Sequence, residues 1–347
     1  MSSFSVEVVE IPAFGQHPNA DTLSIVSLFG CPVIFRTEEF RALKKAVYIP
    51  VDAMVPLDMQ AFAFLRNEKY KPGKKHRMKA KKLRGIFSMG MLVPISALEP
   101  EVQGTLDWEL GTDISQHLGI TKYEEPLDPV SFGKSQQESD PGVIPHYDME
   151  SYRKYKNVLI ENEQIVVTEK LHGCNARYFW HVKEGSEPRF YAGSHGQFKK
   201  FHETNLWWKI AIQYDLENKL KPFPNLALYG EVVGTQDLRY GAKQGETFFT
   251  AFDLYNIEKG KFEDYDAFWD FCTGIGVPTV PLIYRGPYLP EYMETLSRGD
   301  TTLAPGQIRE GIVIRPIKER WNYETGRTLL KFVSEDYLLR KGGSEYK

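Results

Sequence analysis

Ile165-Val-Val-Thr-Glu-Lys-Leu-His-Gly173 reads as a buried strand that runs straight into a tight turn. The β-branched run at 165–168 suits a strand covered on both faces. Gly173 lets the backbone turn sharply and places the Lys170 amine at the mouth of a pocket. Working outward, the chain continues with Ser194-His-Gly196, Tyr229-Gly-Glu231, Phe252-Asp253, Glu310-Gly-Ile-Val-Ile-Arg315 and Leu330-Lys331. A single K-x-x-G turn is a short motif with many accidental matches. The whole series in one order points to a single site.

The residue types define a chemistry. A lysine followed by two separated carboxylates and a late lysine is what transfer of a nucleotidyl group to an amine requires. To attack an α-phosphate, Lys170 must be a neutral amine, and a free lysine has a pKa of about 10.4. At pH 7 that leaves about one molecule in 2,500 reactive, a deficit of roughly 4–5 kcal/mol. Burial, a neighbouring cation or a bound metal lowers that barrier.

Glu231 lies in Leu226-Ala-Leu-Tyr-Gly-Glu-Val-Val233, and Glu310 opens an apolar strand. Acids held at strand ends suit Mg²⁺, which prefers oxygen ligands; Glu231 equally suits a ribose hydroxyl. Lys331 in Thr328-Leu-Leu-Lys-Phe-Val333 points opposite to Leu330 and Phe332 by strand alternation. A cation there offsets charge developing on an α-phosphate, and Arg315 is placed to help. Phe252 fits either a purine-stacking role or plain core.

On these motifs the chain resembles the covalent nucleotidyltransferases, which comprise ATP-dependent RNA ligases, DNA ligases and mRNA capping enzymes. It is most similar to the RNA ligases with an N-terminal OB domain, the Naegleria/Deinococcus type, over nearly its whole length. The resemblance implies ATP as co-substrate with Mg²⁺ or Mn²⁺, AMP carried covalently on Lys170, and sealing of 3′-OH/5′-phosphate RNA breaks, chiefly duplex nicks. It implies catalytic roles for Lys170, Lys331 and Glu310. Glu169, His172, Gly173, Glu231, Phe252 and Arg315 become nucleotide-binding residues, Glu310 and Glu231 metal ligands, and Ser194 and His195 nucleic-acid contacts. Three positions depart from the family pattern. His172 replaces the aspartate of K-x-D-G, His195 stands where an arginine is common, and Val333 stands where many relatives have a lysine.

The implied fold class is α+β, an N-terminal OB-fold β-barrel followed by a nucleotidyltransferase domain of antiparallel sheets flanked by helices. We expect the OB domain over 1–120, a linker over 121–145 and the ligase domain over 146–347. The 347 residues can bury two substantial cores. Short β-like runs at Phe4–Ile11, Leu23–Leu28, Pro32–Arg36, Lys45–Val51 and Gly90–Ile95 suit a small barrel. His17-Pro-Asn-Ala-Asp-Thr-Leu-Ser-Ile-Val26 also resembles the opening of a tRNA-binding type of OB domain. Thr121–Pro145 is polar and rich in Pro, Ser and Glu, as linkers are. Helical stretches are expected at Asp264–Thr273 and Pro290–Arg298.

Composition adds exclusions. There is no apolar run near the ~18 residues of a membrane span, and the N-terminus lacks a signal-peptide pattern. Cys31, Cys174 and Cys272 are far apart, with no C-x-x-C. That spacing favours reduced thiols in an intracellular compartment and argues against structural zinc and secretion. The net charge of −3 is uninformative, but its distribution is not. Nine Lys/Arg and no acid lie between Lys69 and Arg84. Lys74, Lys75, Arg77, Lys79, Lys81 and Lys82 in that block are expected to attract the phosphates of RNA, a nicked duplex with either an RNA or a DNA partner strand. Gly85-Ile-Phe-Ser-Met-Gly-Met-Leu92 reads as one barrel strand bearing the basic loop on a rigid rim. No protein partner is implied.

Other readings remain at this point. A capping guanylyltransferase uses the same lysine with GTP, and a DNA ligase uses it on DNA. Both usually carry the OB domain after the core, whereas little chain follows Lys331 here. An RNA-binding protein with a transferase core disabled at His172 is the non-enzymatic alternative.

Overall fold

Lys45–Ile49 is a strand buried on both faces, and its alternation explains the N-terminal half. Val47 and Ile49 enter one apolar cluster with Val8, Val55, Phe62 and Val93. Ala46 and Tyr48 enter a second with Val9, Val33, Phe35 and Leu92. Side chains one residue apart on a strand point to opposite faces, so the sheet Glu7–Glu10, Lys45–Ile49, Met91–Val93 separates two cores. The computed structural model describes residues 4–102, 106–123, 137–182, 185 and 187–345. The chain is α+β, built mostly of antiparallel sheets with short helices.

Two compact units emerge. One comprises Ser2–Glu125 with Glu335–Lys347, the other Pro126–Ser334. The end of the chain therefore departs from the expected 146–347 domain. Its anchor is Asp52, whose carboxylate accepts from Ser344 Oγ at 2.9 Å and Glu345 N at 2.8 Å. Of the stretch read as a linker, 124–136 lie outside the described residues. Thr121–Lys122 pairs with Ala53–Met54, and Gln137–Glu138 pairs with Phe198–Lys199.

The expected single strand across 85–92 is two strands, Ile86–Ser88 and Met91–Val93. Gly90 divides them with φ +79°, and a Cβ there would lie 2.6 Å from the Ile49 carbonyl oxygen. Only glycine fits that approach. The basic block is likewise more ordered than a loop, since Lys75–Arg77 pairs with Met54–Pro56 and Lys81–Leu83 with Ile86–Ser88.

The second unit holds a seven-stranded and a five-stranded sheet. In the larger, Cys174–His181, Leu226–Val233 and Phe248–Asn256 are adjacent antiparallel strands. In the smaller, Gln164–Lys170 lies between Leu282–Pro287 and Gly311–Pro316, and Leu330–Val333 follows on the far side of Gly311–Pro316. The helix Leu206–Gln213 is capped by Asn205 Oδ1, which accepts from the amides of Trp207 and Trp208. Its Leu206, Trp207, Ile210 and Ala211 share a core with Tyr178, Phe249, Phe268 and Cys272. The helices expected at 264–273 and 290–298 are Tyr265–Gly274 and Pro290–Ser297. Among the described residues no helix is long and apolar enough to cross a membrane.

Candidate active site

Register assembles the site. In the five-stranded sheet Lys170 pairs with Gly311 and Lys331 with Val313. Gly311, Val313 and Arg315 share one face by alternation, so Lys170 and Lys331 project from that same face. Ile165, Val167, Ile312, Ile314, Leu330 and Phe332 take the opposite face and form its core. That partition sets a row of cations against an apolar backing, with Lys331 itself buried.

Glu310 stands just ahead of Gly311, hence beside the end of the lysine strand. Lys170 Nζ donates to Glu310 Oε1 at 2.7 Å, with the two side chains 9% and 1% exposed. Glu310 Oε2 is buried and makes no hydrogen bond. A carboxylate oxygen beside Lys170 that is orphaned among the described residues is a fitting ligand for a hard divalent cation, which takes oxygen donors.

Leu171-His172-Gly173 carries the chain from the five-stranded to the seven-stranded sheet. The backbone of Gly173 is not left-handed, and glycine is required there for space. A Cβ would lie 2.3 Å from Val232 O and 2.9 Å from Glu231 Cγ. This close approach brings Glu231 against the turn. Glu231 pairs with Asn175 on one side and Thr250 on the other, a polar row across three strands. Asn175 Oδ1 and Thr250 Oγ1 are buried without a hydrogen bond. Neither residue was singled out from the sequence, although Asn175 lies only two positions beyond Gly173.

Phe252 is the extra residue of a β-bulge, because Tyr229 pairs with Asp253 while Gly230 pairs with Ala251. Bulges re-aim side chains. Phe252 packs against the cluster of Phe179, Tyr191, Phe198 and Tyr229, while Phe249, Ala251 and Leu254 serve the other core. Next to it, buried Asp253 accepts from Arg315 Nη1 at 3.1 Å, Arg327 Nη2 at 2.9 Å and Tyr147 Oη at 2.7 Å. Burial opposes ionisation of Asp253, but Arg327 and Arg315 outweigh it and hold the carboxyl below its ordinary value. Glu319 bonds both arginines. Arg315, expected at the nucleotide, is thus 3% exposed and committed to this ion network between the two sheets. Arg327 gave no sequence signal, its partner lying 74 positions away.

The remaining candidates are placed as follows. Glu169 Oε2 accepts from Thr302 N at 3.1 Å and Thr302 Oγ1 at 3.0 Å, on the side away from Lys170 by alternation. Ser194 and His195 form the turn after Arg189–Gly193, with Arg177 Nε donating to the Ser194 carbonyl at 3.0 Å. His195 Nε2 lies 3.1 Å from Tyr147 O, and burial pushes its imidazole below the ordinary range. Val333 is buried, and its carbonyl accepts from Arg153 at 3.0 Å. In the other unit Lys74, Lys75, Lys81 and Lys82 are exposed, with Lys75 Nζ donating to Gly119 O at 2.7 Å. Arg77 is drawn inward, paired with Asp52 at 2.6 Å and lying 3.8 Å over the Tyr123 ring. Lys79 donates to Lys341 O at 2.6 Å.

Residues 163–333 match the model of the RNA ligase family, and residues 5–95 match an OB-fold domain. Those matches mark the chain as a ligase with an N-terminal OB fold, as expected, the RNA ligase match lying in residues 163–333. Among solved structures it is similar to Naegleria gruberi RNA ligase. A mutant of that enzyme with ATP and Mn is 20% identical, with a TM-score of 0.80 over 97% of this chain and 98% of that one. The same enzyme with pyrophosphate has a TM-score of 0.79 at 20% identity and the same coverage. A further mutant, with AMP and Mn, has a TM-score of 0.79 at 20% identity over 96% of this chain and 98% of that one. At such identity the likeness speaks for the fold. A comparison with curated proteins found no match.

Proposed function

We propose that this RNA ligase uses ATP and a divalent cation to seal 3′-OH/5′-phosphate breaks in duplex RNA through a lysyl-AMP on Lys170. In the first step the Lys170 amine forms a bond to the α-phosphorus as the bond to the bridging oxygen breaks and pyrophosphate leaves. A 5′-phosphate oxygen then takes the AMP from Lys170. Finally the 3′-OH attacks that 5′-phosphate, forming the phosphodiester and releasing AMP.

The observation that carries this reading is the pairing of Lys170 with Glu310 on the face that Lys331 shares, with Glu310 Oε2 left for another ligand. Glu310 and Glu231 would hold the cation, which when bound neutralises charge on the transferred phosphate. Lys331 would offset charge at the α-phosphate. Asn175 Oδ1 and Glu231 would accept from ribose hydroxyls, and Phe252 would meet the purine. ATP, AMP, pyrophosphate and Mn in the Naegleria structures support ATP and metal use here.

A sealing assay tests the substrate. RNA duplexes with one nick should be joined faster than free single-stranded ends, in Mg²⁺ or Mn²⁺. Equal rates on both would overturn the nick preference, and joining only DNA would overturn the RNA assignment.

A further inference from the structure

The segment Gly234–Tyr240 clasps the turn that carries the nucleophile. Gln236 Nε2 donates to the Gly173 carbonyl at 2.8 Å, and Thr235 Oγ1 lies 3.4 Å from Cys174 Sγ. The His172 amide donates to Tyr240 Oη at 2.7 Å. Tyr240 has φ +51°, a left-handed conformation that a bulky residue adopts only when its surroundings impose it. His172, 2% exposed, sets its Nε2 3.1 Å from Asp237 Oδ1.

We propose that Asp237 is a positioning residue for the first chemical step, acting through His172. A carboxylate only accepts hydrogen bonds, so Nε2 is the donor of this pair. That contact orients the imidazole and, in its neutral form, places the ring proton on Nε2, two residues from Lys170. The Asp237 side chain is 59% exposed, so its removal leaves no cavity in the core. Its partner is the buried member, and the backbone of the turn is held separately by Gln236 and Tyr240.

The inference rests on the ligase reading above, and its test has one arm that does not. In single-turnover formation of labelled lysyl-AMP, Asp237→Ala and His172→Ala should each slow the step about 10- to 100-fold. For Asp237→Ala the KM for ATP should stay unchanged and the melting should match the wild type. The double variant should be no slower than the slower single one, because the two residues act as a unit. Asp237→Asn, whose amide oxygen still accepts from Nε2, should recover most of the rate. In protein labelled with ¹⁵N-histidine, the His172 ring signals should show Nε2 protonated, and Asp237→Ala should shift them. Wild-type rates in Asp237→Ala, multiplying losses in the double variant, or unchanged ring signals would overturn the proposal. If the wild type takes no label from ATP, the proposed function fails and the ring spectrum alone decides the pairing.

Discussion

Lys170 and Glu310 are 140 positions apart in sequence and 2.7 Å apart in the structure, a buried ion pair made by strand register. Because Lys170 opposes Gly311, the residue before that glycine must lie at the lysine's end of the sheet. Lys170→Met should abolish nucleotide labelling with the fold retained. Glu310→Gln keeps the shape and removes the charge, and should slow labelling about 100-fold or more at saturating Mn²⁺. Near-normal labelling of Glu310→Gln would remove the carboxylate from the mechanism.

Gly173 is present for room. In Gly173→Ala the new methyl would sit 2.3 Å from the Val232 carbonyl oxygen, so the Leu226–Val233 strand must shift. Overpacking of this kind costs about 1–3 kcal/mol. Denaturant melts should show that loss, and labelling should fall with it because Glu231 moves with the strand. A variant with unchanged melts and activity would refute the tight approach.

The network around Asp253 has a signed pH dependence. Its carboxyl is held below the ordinary value in the folded chain, by Arg327 and Arg315 against the opposing effect of burial. A group depressed on folding contributes stability above its unfolded value, about 3.9, and loses it as pH falls through the folded value. The melting temperature should therefore drop on acidification below about pH 4. Asp253→Asn leaves two buried guanidinium groups with only Glu319 as a shared carboxylate and should cost up to about 3–5 kcal/mol at pH 7. Its melting temperature should fall less steeply with acid than that of the wild type. Parallel acid profiles would contradict the assignment.

Lys74, Lys81 and Lys82 are among the exposed cations of the basic stretch, whereas Arg77 and Lys79 are engaged within their own unit. Replacing the first three with alanine should weaken nick sealing far more than lysyl-AMP formation. If the lysines contact phosphates, the slope of log affinity against log salt should become shallower by about 0.7–0.9 per lysine. Equal loss of sealing and labelling would mean that the stretch serves the fold. Unchanged sealing would place RNA elsewhere.

The strands that carry Lys170 and Lys331, and the one that Glu310 precedes, were legible in the sequence as short apolar runs whose alternation survives in the fold. The OB-fold half was legible for the same reason, through runs such as Lys45–Val51. Strand ends were less so, and Gly90 divides what reads as one strand because its constraint is the distant Ile49 carbonyl. Arg315 lay in a legible strand, but its partner Asp253, fixed by packing between sheets, left no local signal. Asp237 and Arg327 had no local signature. Their contacts depend on loop closure and on register between strands far apart in sequence, which periodicity does not encode.

The most direct test of the whole account is covalent labelling. The protein is incubated with Mg²⁺ and α-labelled ATP or GTP, after any AMP already bound has been removed. Acid-resistant label from ATP alone, absent in Lys170→Met, is the predicted result. Label from GTP instead, or label retained by Lys170→Met, would contradict the account.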